Sequence, residues 1–247
     1  MAAGGSSYYD IAAGRCDSMV NKDNSSLSNP DEARSEHLHL KLAVDFNLTV
    51  ITGSVEFTVV ATKGAKSFVL DTKDLAISSV KVEGKETAYS LAARHEIFGS
   101  ALSIPLPSSI SSAGGKCSVL VQYRTSPKSS ACQWLPPAQT AGKRYPFLFT
   151  QCQAIHARSL LPCQDCPKAK CTWSSEITAP SWATVLMSAL QEGTPGSRIP
   201  LNSFINDTYS IEDMGVSSDQ LSEHVKRIYK CKFDFLSRHP FALRHRC

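Results

Sequence analysis

The amino-acid sequence predicts a mainly β protein, a large antiparallel, saddle-like sheet or sandwich with a short C-terminal helix. Three observations carry that expectation. Apolar and polar residues alternate with period two from His37 onward, short apolar runs separated by turn residues recur to about residue 190, and a period near 3.6 appears only close to the C-terminus.

Residues 1–35 are rich in Ser, Asn, Asp and Gly and include Asn29-Pro30-Asp31, a turn signal, so they read as a flexible leader. In the first strand Leu38, Leu40, Leu42, Val44 and Phe46 alternate with His37, His39, Lys41 and Asp45, the pattern of a half-buried strand. A second sets Val55, Phe57 and Val59 against Glu56 and Thr58. Further strands are expected at 67–70, 77–82, 97–104 and 116–123, separated by Glu83-Gly84, Pro105 to Pro107 and Gly114-Gly115. No helical pattern intervenes, which argues against parallel βαβ units. A Pro- and Ser-rich connection then leads to an apolar strand from Pro146 that runs into a polar stretch, with two more strands at 170–177 and 183–190. Beyond Gly193 the composition shifts. Ser217 and Gln220 have capping-box spacing, and Leu221, Val225, Ile228, Phe235 and Leu236 recur at helical intervals, which places a helix at 218–236. The expected organisation is a leader (1–35), a β domain (36–193) and a divergent basic tail (194–247).

With 42% apolar and 19% charged residues, the 247-residue chain has the composition of a soluble globular protein. No apolar run approaches the roughly 18 residues that cross a bilayer, so no membrane span is expected. The first residues lack the basic and apolar regions of a secretory signal, and nine cysteines form no regular framework. Both features point to free thiols in the cytoplasm, with the sequons at Asn24, Asn47 and Asn206 unmodified. The net charge of +4 is uneven, because between His224 and Cys247 seven Lys and Arg residues stand against Asp234 alone. That stretch reads as a solvated tail, and no nucleic-acid partner is expected.

Three stretches then narrow the reading: FVLDTKDLAISSVKV from Phe68, YRTSPKSSACQWLPPAQTAGK from Tyr123 and PFLFTQCQAIHARSLLPCQD from Pro146. In this order they resemble the N-terminal domain of zinc aminopeptidases of the leukotriene A-4 hydrolase type, over about residues 36–193. The resemblance implies an aminopeptidase N-like saddle-shaped β domain that normally packs against a thermolysin-like catalytic domain. It also implies that Gln151, Gln153 and Ala154 reach the substrate. Many relatives carry glutamate at the position of Gln153; a neutral amide there implies looser recognition of a substrate amine and favours the leukotriene hydrolase branch.

The family's catalytic signatures are missing. Two histidines four apart on one helical face bind zinc, and the glutamate between them activates water. Here His95-Glu96-Ile97-Phe98-Gly99 puts glycine in place of the second histidine, on a segment that reads as strand, and Asp213-Met214-Gly215 does not replace the family's G-x-M-E-N block. No catalytic residue, no metal ligand and no cofactor is therefore expected on this chain, although zinc serves the intact family. Cys163, Cys166 and Cys171 read as structural rather than as a zinc knuckle, Cys152 and His156 as unrelated rather than as nucleophile and base, and Asp71 and Asp74 as turn chemistry rather than paired carboxylates. The resemblance implies that Arg158 and Asp165 form a structural ion pair or backbone-binding network near Pro162.

The expected function is that of the N-terminal domain of such an enzyme, ending before the catalytic domain and inactive alone. Its partners would be a peptide or lipid epoxide, met only together with a catalytic domain, and a protein docked on the exposed domain face. The alternatives are a binding or scaffolding β module and a subunit completing a catalytic chain in trans.

Overall fold

A computed structural model describes residues 23–62, 64–110, 113–199 and 226–233. Thirteen strands and three 3-10 turns build it: β1 (Ala33–Asp45), β2 (Val50–Ala61), β3 (Ser67–Thr72), β4 (Ala76–Val82), β5 (Lys85–Glu86), β6 (Ser90–Leu91), β7 (Ser100–Pro105), η1 (Ser108–Ile110), β8 (Lys116–Arg124), β9 (Cys132–Leu135), η2 (Pro137–Gln139), β10 (Phe147–Thr150), η3 (Ala157–Ser159), β11 (Thr172–Pro180), β12 (Leu190–Ile199) and β13 (Lys226–Phe233). Eight of these form one sheet in the order β12-β13-β11-β1-β2-β8-β4-β5; β3-β7-β6 and β10-β9 form two smaller sheets.

The expected alternation sets the layers. Leu38, Leu40 and Leu42 of β1, Val55, Phe57 and Val59 of β2, and Val119, Val121 and Tyr123 of β8 turn inward. Phe68 and Leu70 of β3 and Leu102 and Ile104 of β7 close the core from the other side, and the Phe57 and Phe68 rings meet edge to face at 5.3 Å. Burying side chains of this size stabilises by about 2 kcal/mol each.

Several expectations fail for physical reasons. The sheet is mixed rather than antiparallel, since β1 runs parallel to β11 with Leu38 beside Trp173 and Leu42 beside Ile177. The segment 183–190 is a loop except for Leu190, and the strand itself is β12, which continues through residue 193 to Ile199. The helix expected at 218–236 is contradicted over Lys226–Phe233, which is β13, paired antiparallel with both β11 and β12. In that segment Tyr229, Cys231 and Phe233 alternate with Lys230 and Lys232, and this period of two with β-favouring residues prevails over the sparser helical spacing. Residues 218–225 and 234–236, with the capping box, lie outside the described residues.

Residues 23–35 are not a free leader. The Asn29 side chain donates to Ser67 O at 2.9 Å and accepts from Val69 N at 2.8 Å, occupying the open edge of β3 as a neighbouring strand would. Ser26 and Leu27 N reach the buried Asp71 carboxylate, each at 2.6 Å. No helix among the described residues is long and apolar enough to cross a membrane.

Candidate functional site

β10 carries the expected ligand-facing segment. Its ladder with β9 ends at Thr150 opposite Cys132, and Gln151 N adds one more bond to Ala131 O at 2.9 Å before the chain leaves the sheet. Extended backbone here turns Cys152 into the core and leaves Gln151 and Gln153 exposed, with Ala154 beside them after a cis Gln153-Ala154 peptide. His156 N then bonds Cys152 O at 2.9 Å and closes the turn into η3.

Hydroxyls brace that turn from below. Ser159 Oγ accepts from Ala131 N at 3.0 Å and donates to His156 O at 2.8 Å, while Ser129 Oγ donates to Ser159 O at 2.7 Å. His156 Nδ1 lies 2.7 Å from Ser130 Oγ. The expectation that Cys152 and His156 are unrelated agrees with this geometry: burial pushes the Cys152 thiol up to about 12, and His156 is engaged with serine.

Behind η3 lies an ion network. Arg158, fully buried, donates from Nε to Asp165 Oδ2 at 2.9 Å and from Nη1 to Phe98 O at 3.1 Å, with Asp71 Oδ1 3.6 Å from Nη1. The Arg158–Asp165 pair was implied by the resemblance; the part played by Asp71 was not. Its assignment to turn chemistry is overturned, because the carboxylate is fully buried and accepts from Ser26, Leu27 N and Asp165 N, the last at 3.0 Å. The sequence clue was its position at the end of the apolar strand β3, where a charge requires partners. Burial raises the Asp165 carboxyl above its ordinary range, against the opposing pull of Arg158. Asp74 does sit in a turn, at φ 56°, and its bond to Arg94 at 2.8 Å holds its carboxyl below the usual value.

Zinc ligation does not fit the residues that come nearest to the family motif. His95 to Gly99 is a tight turn, not a strand or helix, in which His95 Nδ1 faces Ile97 N and Phe98 N at 3.2 Å. Gly99 has φ 77°, and a Cβ there would collide with Thr72 O, so no histidine can replace it. Cys163, Cys166 and Cys171 are half-buried free thiols, each raised by burial. Among the described residues no three His, Cys, Asp or Glu side chains gather as a metal cage.

Aromatic rings flank the segment: Phe46 touches Trp134 and Trp182, and Trp182 stacks on Tyr145 at 4.9 Å. A cavity of about 70 Å³ lies beneath β10, lined by Leu42, Phe46, Leu148, Thr150 and Ile177. Ligand sites usually offer roughly 300 Å³ or more, so this cavity is too small for a peptide or a fatty acid. The exposed Gln151–Ala154 edge is chemically a pair of neutral amides, able to donate and accept hydrogen bonds and unable to move a proton.

Comparison with known proteins agrees with this architecture. The family profile described as the Peptidase M1 N-terminal domain matches residues 34–196. Leukotriene A-4 hydrolase of Xenopus laevis is 45% identical over 172 residues, 69% of this chain and 28% of its own length. Leucine aminopeptidase 2 of Yarrowia lipolytica is 42% identical over 156 residues, 63% of this chain and 24% of its own. The structure of yeast LTA4 hydrolase with bestatin superposes with a TM-score of 0.69 at 28% identity, over 88% of this chain and 29% of that one. The fold alone extends to an M1 zinc metallopeptidase of Deinococcus radiodurans, at 17% identity and a TM-score of 0.56, over 81% of this chain and 39% of that one. The chain thus spans less than a third of the length of these curated relatives. With a family profile matched over most of its length and the same β architecture in the related structures, the chain belongs to the M1 peptidase family, of which it contains the N-terminal domain.

Proposed function

We propose that this chain supplies the substrate-orienting wall of a leukotriene A-4 hydrolase-like zinc aminopeptidase, with Gln151, Gln153 and Ala154 facing the ligand. The observation that carries the reading is the braced, exposed edge after β10, where two amides project from a backbone fixed by Cys152, Ser159 and His156. A neutral amide hydrogen-bonds an ammonium group, a carbonyl or an epoxide oxygen, whereas a carboxylate there would select the ammonium group. The names of relatives, leukotriene A-4 hydrolase and leucine aminopeptidase, support a lipid epoxide and a peptide N-terminus as the substrate classes of this reading. Zinc in the intact family supplies the Lewis acid and the activated water. The catalytic step is assigned to a catalytic domain, on the same polypeptide or in trans, and the setting to the cytoplasm.

Grafting residues 34–196 in place of the matching segment of the Xenopus relative tests this reading. The chimera should hydrolyse aminoacyl amides, and Gln153→Ala should raise KM about tenfold, the equivalent of one lost hydrogen bond. Gln153→Glu should favour substrates with a free amine. KM values that ignore both positions would sink the assignment. The ungrafted chain, freed of host peptidases, should match a blank with or without chelator.

A further inference from the structure

Beneath β10, just before Gln151 leaves the sheet, the cavity of about 70 Å³ carries one buried polar residue in an otherwise apolar lining. The large sheet contributes Leu42, Ile51 and Ile177, β10 contributes Leu148 and Thr150, and the loop after β11 contributes Val185. That loop is held by Ser175 Oγ, 3.1 Å from Met187 Sδ, and its exposed Thr184 also lines the cavity, which reaches the surface there. Thr150 is only 6% exposed and its backbone pairs with Cys132. Its Oγ1 is buried and meets no hydrogen-bond partner among the described residues.

Size and polarity together restrict what can sit there. An apolar cavity of roughly 150 Å³ admits the six carbons of benzene, so in proportion this one admits about three non-hydrogen atoms. Water fits the space and not the lining, because a buried water needs about two to four polar partners and only Thr150 is buried with a free hydroxyl. Charge does not fit either, since no ionisable side chain lines the cavity to pair with it. A ligand hydroxyl opposite Thr150 would leave one of the two hydroxyl protons facing hydrocarbon. An acceptor that carries no proton takes the Thr150 proton and leaves no donor over.

We propose that this cavity binds a neutral molecule of about three non-hydrogen atoms with a methyl group and one hydrogen-bond acceptor, of the two-carbon aldehyde or nitrile class. The site is independent of the role given to Gln151 and Gln153. Thr150 Oγ1–H donates to the acceptor atom, and the methyl group lies against Leu148, Ile177 and Val185. The ligand thereby satisfies the one buried hydroxyl and displaces no ion pair or backbone bond. With so few atoms to make contact, binding is on the order of 1 mM.

The test is a titration of the full chain with acetonitrile, followed by methyl carbon–proton spectra; a nitrile is used because an aldehyde also forms imines with lysine amines. The Leu148, Ile177 and Val185 methyl signals should shift along one saturable curve, and xenon, an apolar atom without an acceptor, should compete for the same site. Thr150→Val should weaken acetonitrile about fivefold, the equivalent of one hydrogen bond, and leave xenon binding unchanged. Ala183→Leu, which fills the cavity from the loop side, should abolish both. Thermal melts identify any variant that has lost its fold, and competition with xenon in the parent chain decides the matter if one has. Methyl shifts that grow linearly without saturation overturn the proposal, because they report solvent rather than a site. So does xenon binding without acetonitrile binding, which would make the cavity a dry void, and so does a long-lived water in contact with Thr150 that acetonitrile does not displace.

Discussion

Asp71 is the residue on which the N-terminal segment and the turn after β10 both depend. Its carboxylate receives Ser26, Leu27 N and Asp165 N and stands beside Arg158, so Asp71→Ala leaves a buried guanidinium and several donors short of partners. We expect a loss of about 3–5 kcal/mol in urea denaturation. Asp165→Asn should cost far less, under about 1.5 kcal/mol, because the amide oxygen still accepts from Arg158 and one buried negative charge disappears. The pH dependence separates the two carboxyls whose shifts oppose each other. Asp165 has a raised folded-state pKa, so the native chain binds more protons than the unfolded one just above pH 3.8, and this group's contribution weakens as pH rises through that window. Asp74 has a lowered one, so its contribution is present above 3.8 and is lost on acidification. Stability curves for the two Asn variants, compared with the parent between pH 3 and 7, should therefore diverge in opposite directions. Cys152 offers a chemical check: with its thiol pushed up to about 12, it should resist iodoacetamide at pH 7.5 in the folded chain and react once urea is added, as read by peptide mass spectrometry. The pairing of Arg158 with Asp165 was implied by the family resemblance of their segment, whereas the contact between Ser26 and Asp71 spans 45 residues and leaves no local pattern.

Among the elements, β1 shows how a side chain can stand in for a strand. Before β11 begins to pair at His37, the Gln164 amide accepts from Ser35 N and Ser35 Oγ at 3.1 Å and donates to Ala33 O at 2.7 Å. These bonds sit at the bulge between Ser35 and His37, where the ladder to β2 shifts register. Asn29 serves the edge of β3 in the same way. The Gln164 amide satisfies buried backbone groups, so Gln164→Ala should cost about 1–3 kcal/mol, and the Asn29 amide satisfies half-buried ones, so Asn29→Ala should cost about 1 kcal/mol. Their effects should add within about 0.5 kcal/mol, because the two amides share no hydrogen-bond partner. A strongly non-additive double variant would mean that the N-terminal segment and β1 respond as one unit. Neither role was legible beforehand, since one amide closes a contact across 129 residues and the other lies in a Ser- and Asn-rich stretch that looks unstructured by composition.

At the scale of the molecule, the alternation legible in β1, β2 and β8 was enough to fix a two-layered β protein, because a period of two decides which side chains face the core whatever the order of the strands. Strand order was not legible. The parallel β1–β11 pair joins residues about 135 apart, and no turn between them announces the pairing. The C-terminal helix expectation failed for a related reason: a short run of mixed apolar and basic residues satisfies both periods loosely, and the available partner decides between them. That partner is β11, whose second edge is occupied by β13 from Trp173 opposite Phe233 to Pro180 opposite Lys226. A chain ending at residue 199 would leave this edge open, with the row of backbone donors and acceptors that invites pairing with another molecule, and would deprive β12 of the strand it pairs with among the described residues. We expect the amides of β11 that point toward β13 to lose protection from hydrogen exchange in the shortened chain, while those that point toward β1 keep it. Light scattering should show concentration-dependent self-association of the shortened chain and not of the full one. If every β11 amide keeps its protection and the shortened chain stays monomeric, β13 does not hold that edge, and the eight-strand order must be redrawn with β11 at its margin.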